Sequence, residues 1–256
     1  MDADVALLQE AGLMPEEVAD KVEIDSVNRP DHLYDRWPMM VKLPDRVEVE
    51  WFKPVSPMMR PEADEIPVSD VSTIAAARVN PQDVEPFIVV SMYARWVMPH
   101  SLTDTKWGVG HSDGSAHRIL SDLSAFIGST DPSTHRILAA GDLNMFYGAI
   151  KDNRLALAAR DGTVFDRMAA LGLEFLGPQY PDGRQASPTP HGLEPNTKNV
   201  PTYHTARKSP ETAENQLDYV FASRGFHEEI TVQAMNSREQ WGSSDHCRLW
   251  IEVGLT

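Results

Sequence analysis

The chain has 256 residues, 41% of them hydrophobic, and a formal net charge of −15. That length can bury a substantial core, and no apolar run approaches the ~20 residues that span a bilayer. The charge excludes a protein that coats nucleic acid by bulk electrostatics, but not an enzyme whose metal ion and few local cations supply a positive field.

Cys247 is the only cysteine. An internal disulfide is therefore excluded, and its apolar neighbours read as those of a small buried hydrophobe. No signal-peptide pattern opens the sequence, so the expected location is cytoplasmic. Nothing in the sequence points to a protein partner.

In chain order, Val5 to Leu8 reads as a buried strand ending at Gln9-Glu10, and Pro15-Glu16-Glu17 opens a short helix. Arg46 to Phe52 alternates Val47, Val49 and Trp51 against Glu48 and Glu50, as a half-buried strand does. The Pro- and acid-rich stretch from Pro54 to Asp70 predicts a surface loop. Ser72 to Val79 and Phe87 to Ala94 predict two strands joined by a turn at Pro81 and Asp83. Arg95 to Gly114 reads as irregular, with Trp96, Pro99, His100 and Trp107. From Ser115 onward, Ile119, Leu120, Leu123, Phe126 and Ile127 share one helical face.

Arg136 to Ala140 predicts a strand that stops at Gly141-Asp142-Leu143-Asn144. Val164 to Leu171 predicts a helix capped by Gly172. Gly177 to Tyr203 is a long, proline-rich polar loop, of the length that tends to be functional inside a compact domain. Strands follow at Leu217 to Ala222, Ile230 to Ala234 and Cys247 to Val253. Many strands, few helices and no strict βαβ alternation predict an α+β sandwich.

Polar residues stand at the ends of four apolar runs: Gln9-Glu10, Asp142-Leu143-Asn144, Asp218-Tyr219 and Ser244-Asp245-His246. Carboxylates offer hard oxygen ligands suited to Mg²⁺ or Mn²⁺. Asn144 offers an amide that donates to a phosphate oxygen without repelling it. A histidine beside aspartate is suited to acid–base work when a second carboxylate orients it. Each motif alone has a plainer reading: a turn for Asp142 and Asn144, a solvated acid for Glu10, a packed aromatic for Tyr93. His100, His111, His117 and His135 match no compact zinc spacing and read as surface histidines. Trp96 and Trp107 suit either base stacking or pinning a loop, and Arg95, Lys106 and Arg184 are candidate phosphate contacts.

Taken together and in order, "DVALLQEA", "VVSMYARW", "AAGDLNMF", "QLDYVFAS" and "SSDHCRLWIEV" resemble the endonuclease/exonuclease/phosphatase superfamily. That family includes exonuclease III-like enzymes and pancreatic-type deoxyribonucleases, and the resemblance runs from Asp4 to Val253. It implies a two-sheet β-sandwich flanked by helices, in four α/β/β/α layers, with the site at one end. It also implies that Glu10 is the principal metal ligand, with Asp245 at or near the metal. Asp142 would position or deprotonate the attacking water, and Asn144 would hold the scissile phosphate. His246 would contact the phosphate with Asp218 orienting its ring, while Tyr93 would hydrogen-bond a phosphate oxygen. Thr202-Tyr203 resembles the strand start that flanks the family's site.

The family begins with an earlier strand carrying a Trp-Asn pair, for which Met1 leaves no room. The expectation is one domain over residues 1–256, truncated at its N-terminus. The expected function is divalent-metal-dependent phosphodiester hydrolysis by a nuclease acting on DNA or RNA. Two alternatives stay open: hydrolysis of a small phosphoester, and an inactive member that serves as a binding module.

Overall fold

The computed structural model describes residues 3–12, 14–25, 37–43, 46–70, 73–82, 85–95, 112–128, 135–149 and 155–254. The chain divides into two compact units, Met1–Asp142 and Leu143–Thr256. The expected turn residue Asp83 and the residues Trp96, Pro99, His100, Lys106, Trp107 and His111 lie outside the described residues.

The first unit holds strands β1 (Val5–Ala11), β2 (Glu23–Ile24), β3 (Trp37–Lys42), β4 (Val47–Trp51), β5 (Lys53–Val55) and β6 (Glu65–Pro67). It continues with β7 (Ile74–Pro81), β8 (Phe87–Tyr93) and β9 (Ile137–Asp142), and with helices α1 (Glu16–Ala19) and α2 (Ser112–Ile127). One sheet runs in the order β1-β3-β2, and a second places β9, β8, β7 and β4 side by side. β8 and β9 are parallel and the other pairs of that run are antiparallel. Val89, Val90, Ile137, Leu138 and Ala139 are all buried, as the near-continuous apolar sequence of strands covered on both faces requires. Ala75, Ala76 and Ala77 on β7 are buried as well.

The amphipathic helix is found where its periodicity puts it, with Ile119, Leu120, Leu123 and Ile127 buried. The stretch from Pro54 to Asp70 is more ordered than a surface loop. β5 and β6 pair in parallel within it, and Ile66 and Val68 are buried. Burial of the consecutive residues Ile66, Pro67 and Val68 outweighs the local loop composition. Asp122 of α2 then fixes the segment's end by accepting from the Ser69 backbone N and Oγ, both at 2.9 Å.

The second unit holds α3 (Leu155–Ala170), β10 (Leu173–Gly177), β11 (Asp218–Ser223), β12 (Ile230–Met235), α4 (Arg238–Trp241) and β13 (Arg248–Val253). α3 begins nine residues before the expected Val164, because Leu155, Ala156, Ala158, Ala159 and Arg160 are strong helix formers. It ends at Gly172, whose φ of 77° is a left-handed cap. β10 pairs antiparallel with β11, and β12 with β13. Phe165, Phe175, Tyr147, Tyr219 and Phe221 form one aromatic cluster, with centroid separations from 4.4 to 6.1 Å. The chain as a whole is α+β. Among the described residues no helix is long and apolar enough to cross a membrane.

Candidate functional site

In the first unit, Glu10 is exposed at the end of β1 and lies in a β-bulge. Leu8 pairs with Met39 and Ala11 with Trp37, so Gln9 and Glu10 stand opposite the single residue Pro38. Proline cannot donate to a ladder and is tolerated at such a bulge. Glu10 has φ 52°, a left-handed conformation costing roughly 1–2 kcal/mol for a residue that is neither Gly nor Asx. Bulges re-aim side chains, and here the carboxylate Oε1 accepts from the Tyr93 hydroxyl at 2.7 Å. Beside it, Gln9 Nε2 donates to Ser91 Oγ at 3.1 Å.

Tyr93 is buried at the end of β8 and is the register partner of Asp142 on β9. The Ala94 backbone N continues the pairing by donating to the Asp142 carbonyl at 2.8 Å. Asp142 itself is 1% exposed. Gly141 explains how the two strands come this close: a Cβ built there would lie 1.9 Å from the Met92 carbonyl oxygen. Only glycine fits.

In the second unit, Asn144 has φ 51°, the left-handed region that asparagine tolerates better than most residues. Around it three backbone N–H groups of the loop are bonded. The Leu143 backbone N donates to the Leu217 carbonyl at 3.0 Å, Phe146 N to Asp161 Oδ2 at 3.1 Å, and Tyr147 N to the Tyr219 hydroxyl at 3.1 Å.

Asp218 opens β11 and is buried, and its Oδ2 lies 2.8 Å from Nδ1 of His246. A carboxylate only accepts, so Nδ1–H donates and the ring's other nitrogen, Nε2, is the one left to meet a ligand. The His246 ring also packs on the Tyr203 ring, 4.9 Å away and tilted at 48°. Tyr203 bridges both Asn215 and His246 in antiparallel fashion, and Cys247 N donates to the Thr202 carbonyl at 2.8 Å.

The fully buried Thr202 does more than flank the site. Its Oγ1 accepts from the backbone N of both Leu217 and Asp218, at 3.0 and 3.1 Å, so it fixes the strand that carries Asp218. Asp245 is exposed, and its carbonyl accepts from His204 N at 3.0 Å. The structure thus brings Glu10 to Tyr93 and Tyr93 to Asp142, and separately His246 to Asp218 and Tyr203. Sequence reasoning missed the double hydrogen bond to Thr202 and the Gln9–Ser91 contact. A threonine beside the aromatic residue at a strand start was the available signal for the first.

Among the described residues no three His, Cys, Asp or Glu side chains gather into a group that holds a metal by itself. Mg²⁺ keeps several waters and takes one or two carboxylates plus substrate oxygens, and the exposed, pre-oriented Glu10 fits such an ion. Cys247 is buried, and burial, with the nearby Asp218 charge, pushes its thiol far above the usual range. It is no nucleophile. The Arg184 guanidinium donates to the carbonyls of Pro210, Gln185 and Asn236 at 2.7, 3.2 and 3.4 Å, which ties loops together.

Several solved structures are similar to this chain. The endonuclease domain of TRAS1, a telomere-specific non-LTR retrotransposon, has a TM-score of 0.60 at 16% identity, covering 99% of this chain and 87% of that one. The AP endonuclease LMAP from Leishmania major has a TM-score of 0.60 at 17% identity, covering 96% and 77%. The catalytic domain of Xenopus laevis APE2 has a TM-score of 0.61 at 13% identity, covering 97% and 82%. No family model and no curated protein matches the sequence. The chain shares the fold of these endonuclease structures, and its α+β class is the one expected from the sequence.

Proposed function

On that fold, we propose that the chain is a divalent-metal-dependent hydrolase of phosphodiester bonds in DNA or RNA. The observation that carries the reading is the 2.8 Å contact between Asp218 and His246. A histidine held through Nδ1 by a buried carboxylate presents Nε2 in one fixed direction, as acid–base work and phosphate contact require. The nuclease and AP endonuclease names among proteins of the same fold support nucleic acid as the substrate.

The reaction is attack of water on phosphorus. The new P–O bond forms from the water oxygen, the bond to the leaving oxygen breaks, and the water proton passes to Asp142. Asn144 donates its amide to the scissile phosphate from a loop that the bonded backbone N–H groups of Leu143, Phe146 and Tyr147 hold in place. His246, when protonated, donates through Nε2–H to a phosphate oxygen, and Asp218 stabilises the imidazolium. Glu10 would hold a Mg²⁺ or Mn²⁺ ion, with Tyr93 keeping its carboxylate in place. Such an ion, when bound, stabilises charge on the phosphoryl oxygens.

A labelled DNA or RNA strand incubated with Mg²⁺ or Mn²⁺, and in parallel with a chelator, tests this. The wild type is expected to cleave only with metal, and His246→Ala to lose that cleavage. The charge of −15 favours a small phosphoester instead. Turnover of small phosphoesters with no cleavage of any single or double strand would overturn the nuclease reading.

A further inference from the structure

The segment of residues 177–208 departs from the charge of the chain around it. It carries Arg184, Lys198, Arg207 and Lys208 against only Asp182 and Glu194, in a protein whose net charge is −15. Within the same unit, two large aromatic side chains stand in solvent: Tyr180 is 54% exposed and Phe146 is 37% exposed. The neighbouring rings Tyr147, Phe165, Phe175 and Tyr219 pack on one another. Phe146 and Tyr180 appear in no such ring contact among the described residues.

The two exposed rings sit on one hydrogen-bonded frame. Asn199 Nδ2 donates to the Tyr147 carbonyl at 2.7 Å, next to Phe146. Asn199 also bridges Gln179, and Tyr180 N donates to the Lys198 carbonyl at 2.8 Å. Lys198 is exposed and pairs with no carboxylate among the described residues. Phe146 is two residues from Asn144, and its own backbone N is fixed by the buried Asp161 at 3.1 Å. A bonded backbone that carries exposed aromatic rings and an exposed cation is what a single strand meets on a stacking surface, where each base presents a π-face and each phosphate a charge.

We propose that Phe146, Tyr180 and Lys198 form a platform for single-stranded nucleic acid, the rings stacking on bases and the ammonium meeting the backbone. This rests on the reading of Asn144 as the residue that holds the scissile phosphate: a strand placed there runs past Phe146. Exposing two rings to water costs burial that the core would otherwise gain, and a strand recovers it. Sequence preference on such a platform is weak, because stacking does not read base edges.

The test is binding of a fluorescein-labelled oligothymidylate, followed by anisotropy in a chelator so that no strand is cut. Phe146→Ala and Tyr180→Ala are each expected to weaken binding about tenfold, while Tyr180→Trp keeps it. Lys198→Ala is expected to lower the slope of log affinity against log salt by about 0.7. Hydrolysis of bis(p-nitrophenyl) phosphate with Mg²⁺ is expected to be the same in all four variants. Alanine variants that bind within twofold of the wild type overturn the platform, as does a wild type that binds no strand. If the small diester is never hydrolysed but the binding losses appear, the hydrolase reading fails and the platform stands.

Discussion

In the first unit the Glu10 carboxylate is held where regular strand pairing fails, whereas in the second the His246 imidazole is held at the end of an unbroken ladder. Glu10 sits at φ 52° in a bulge opposite Pro38. His246 precedes β13, whose register with β12 runs without a shift from Met235↔Arg248 to Ile230↔Val253. One residue is aimed by strain, the other by a hydrogen bond to Asp218 and packing on Tyr203. Local strain persists only where the surroundings over-determine it, and here Tyr93 supplies a hydrogen bond at 2.7 Å. The two groups should therefore answer mutation in opposite ways, and variants can break or sharpen that contrast.

The largest effect on activity is expected at the ladder. His246→Ala should lower strand cleavage by about 10²–10⁴-fold, the usual contribution of a positioned acid or base, and should also cost stability, because the buried Asp218 carboxylate loses its partner. A loss below tenfold would remove His246 from the chemistry. The largest effect on stability is expected at Gly141. Ala there must push the Met92 carbonyl away from a Cβ at 1.9 Å, and should cost about 4 kcal/mol or more in a denaturant titration. An unfolding midpoint near that of the wild type would contradict the close approach of β8 and β9.

Thr202→Val should come next. It leaves the backbone N–H groups of Leu217 and Asp218 without their acceptor, at about 1–3 kcal/mol for each orphaned group. Activity should fall with it, because Asp218 loses its anchor; full activity would show that Asp218 is placed by other means.

Much of the fold was legible because its elements are strongly patterned. Ile119, Leu120, Leu123 and Ile127 mark one helical face, and Val47, Val49 and Trp51 alternate with glutamates. The pairing of Asp218 with His246 was legible only through the resemblance, since no spacing connects residues 28 apart in sequence. The bulge at Glu10 was not legible, because a bulge is set by the partner strand: it needs Pro38, which is distant in sequence and unremarkable there. The left-handed Glu10 was hidden for the same reason, because nothing in the residue type announces it. The strands β5 and β6 were obscured by a proline- and acid-rich composition that Ile66 and Val68 override through burial.

Smaller effects bear on the strained side of the contrast. Tyr93→Phe removes the hydroxyl that orients the Glu10 carboxylate and should raise the Mg²⁺ concentration for half-maximal cleavage by about tenfold, as loss of a partner to a metal ligand does. An unchanged metal requirement would separate Glu10 from the ion. Glu10→Gly should abolish cleavage yet raise stability by about 0.5 kcal/mol, because glycine adopts the left-handed backbone without penalty. A loss of stability instead would mean that Glu10 is kept for structure.

The central claim is that Asp218 and His246 act as one unit on a phosphodiester. A double-mutant cycle on cleavage of a labelled strand, with Asp218→Asn, His246→Ala and the pair, tests it most directly. The account predicts that the double variant is hardly worse than His246→Ala alone, because Asp218 works through the ring it orients. Losses that multiply independently, or a wild-type rate left intact by either change, would contradict it.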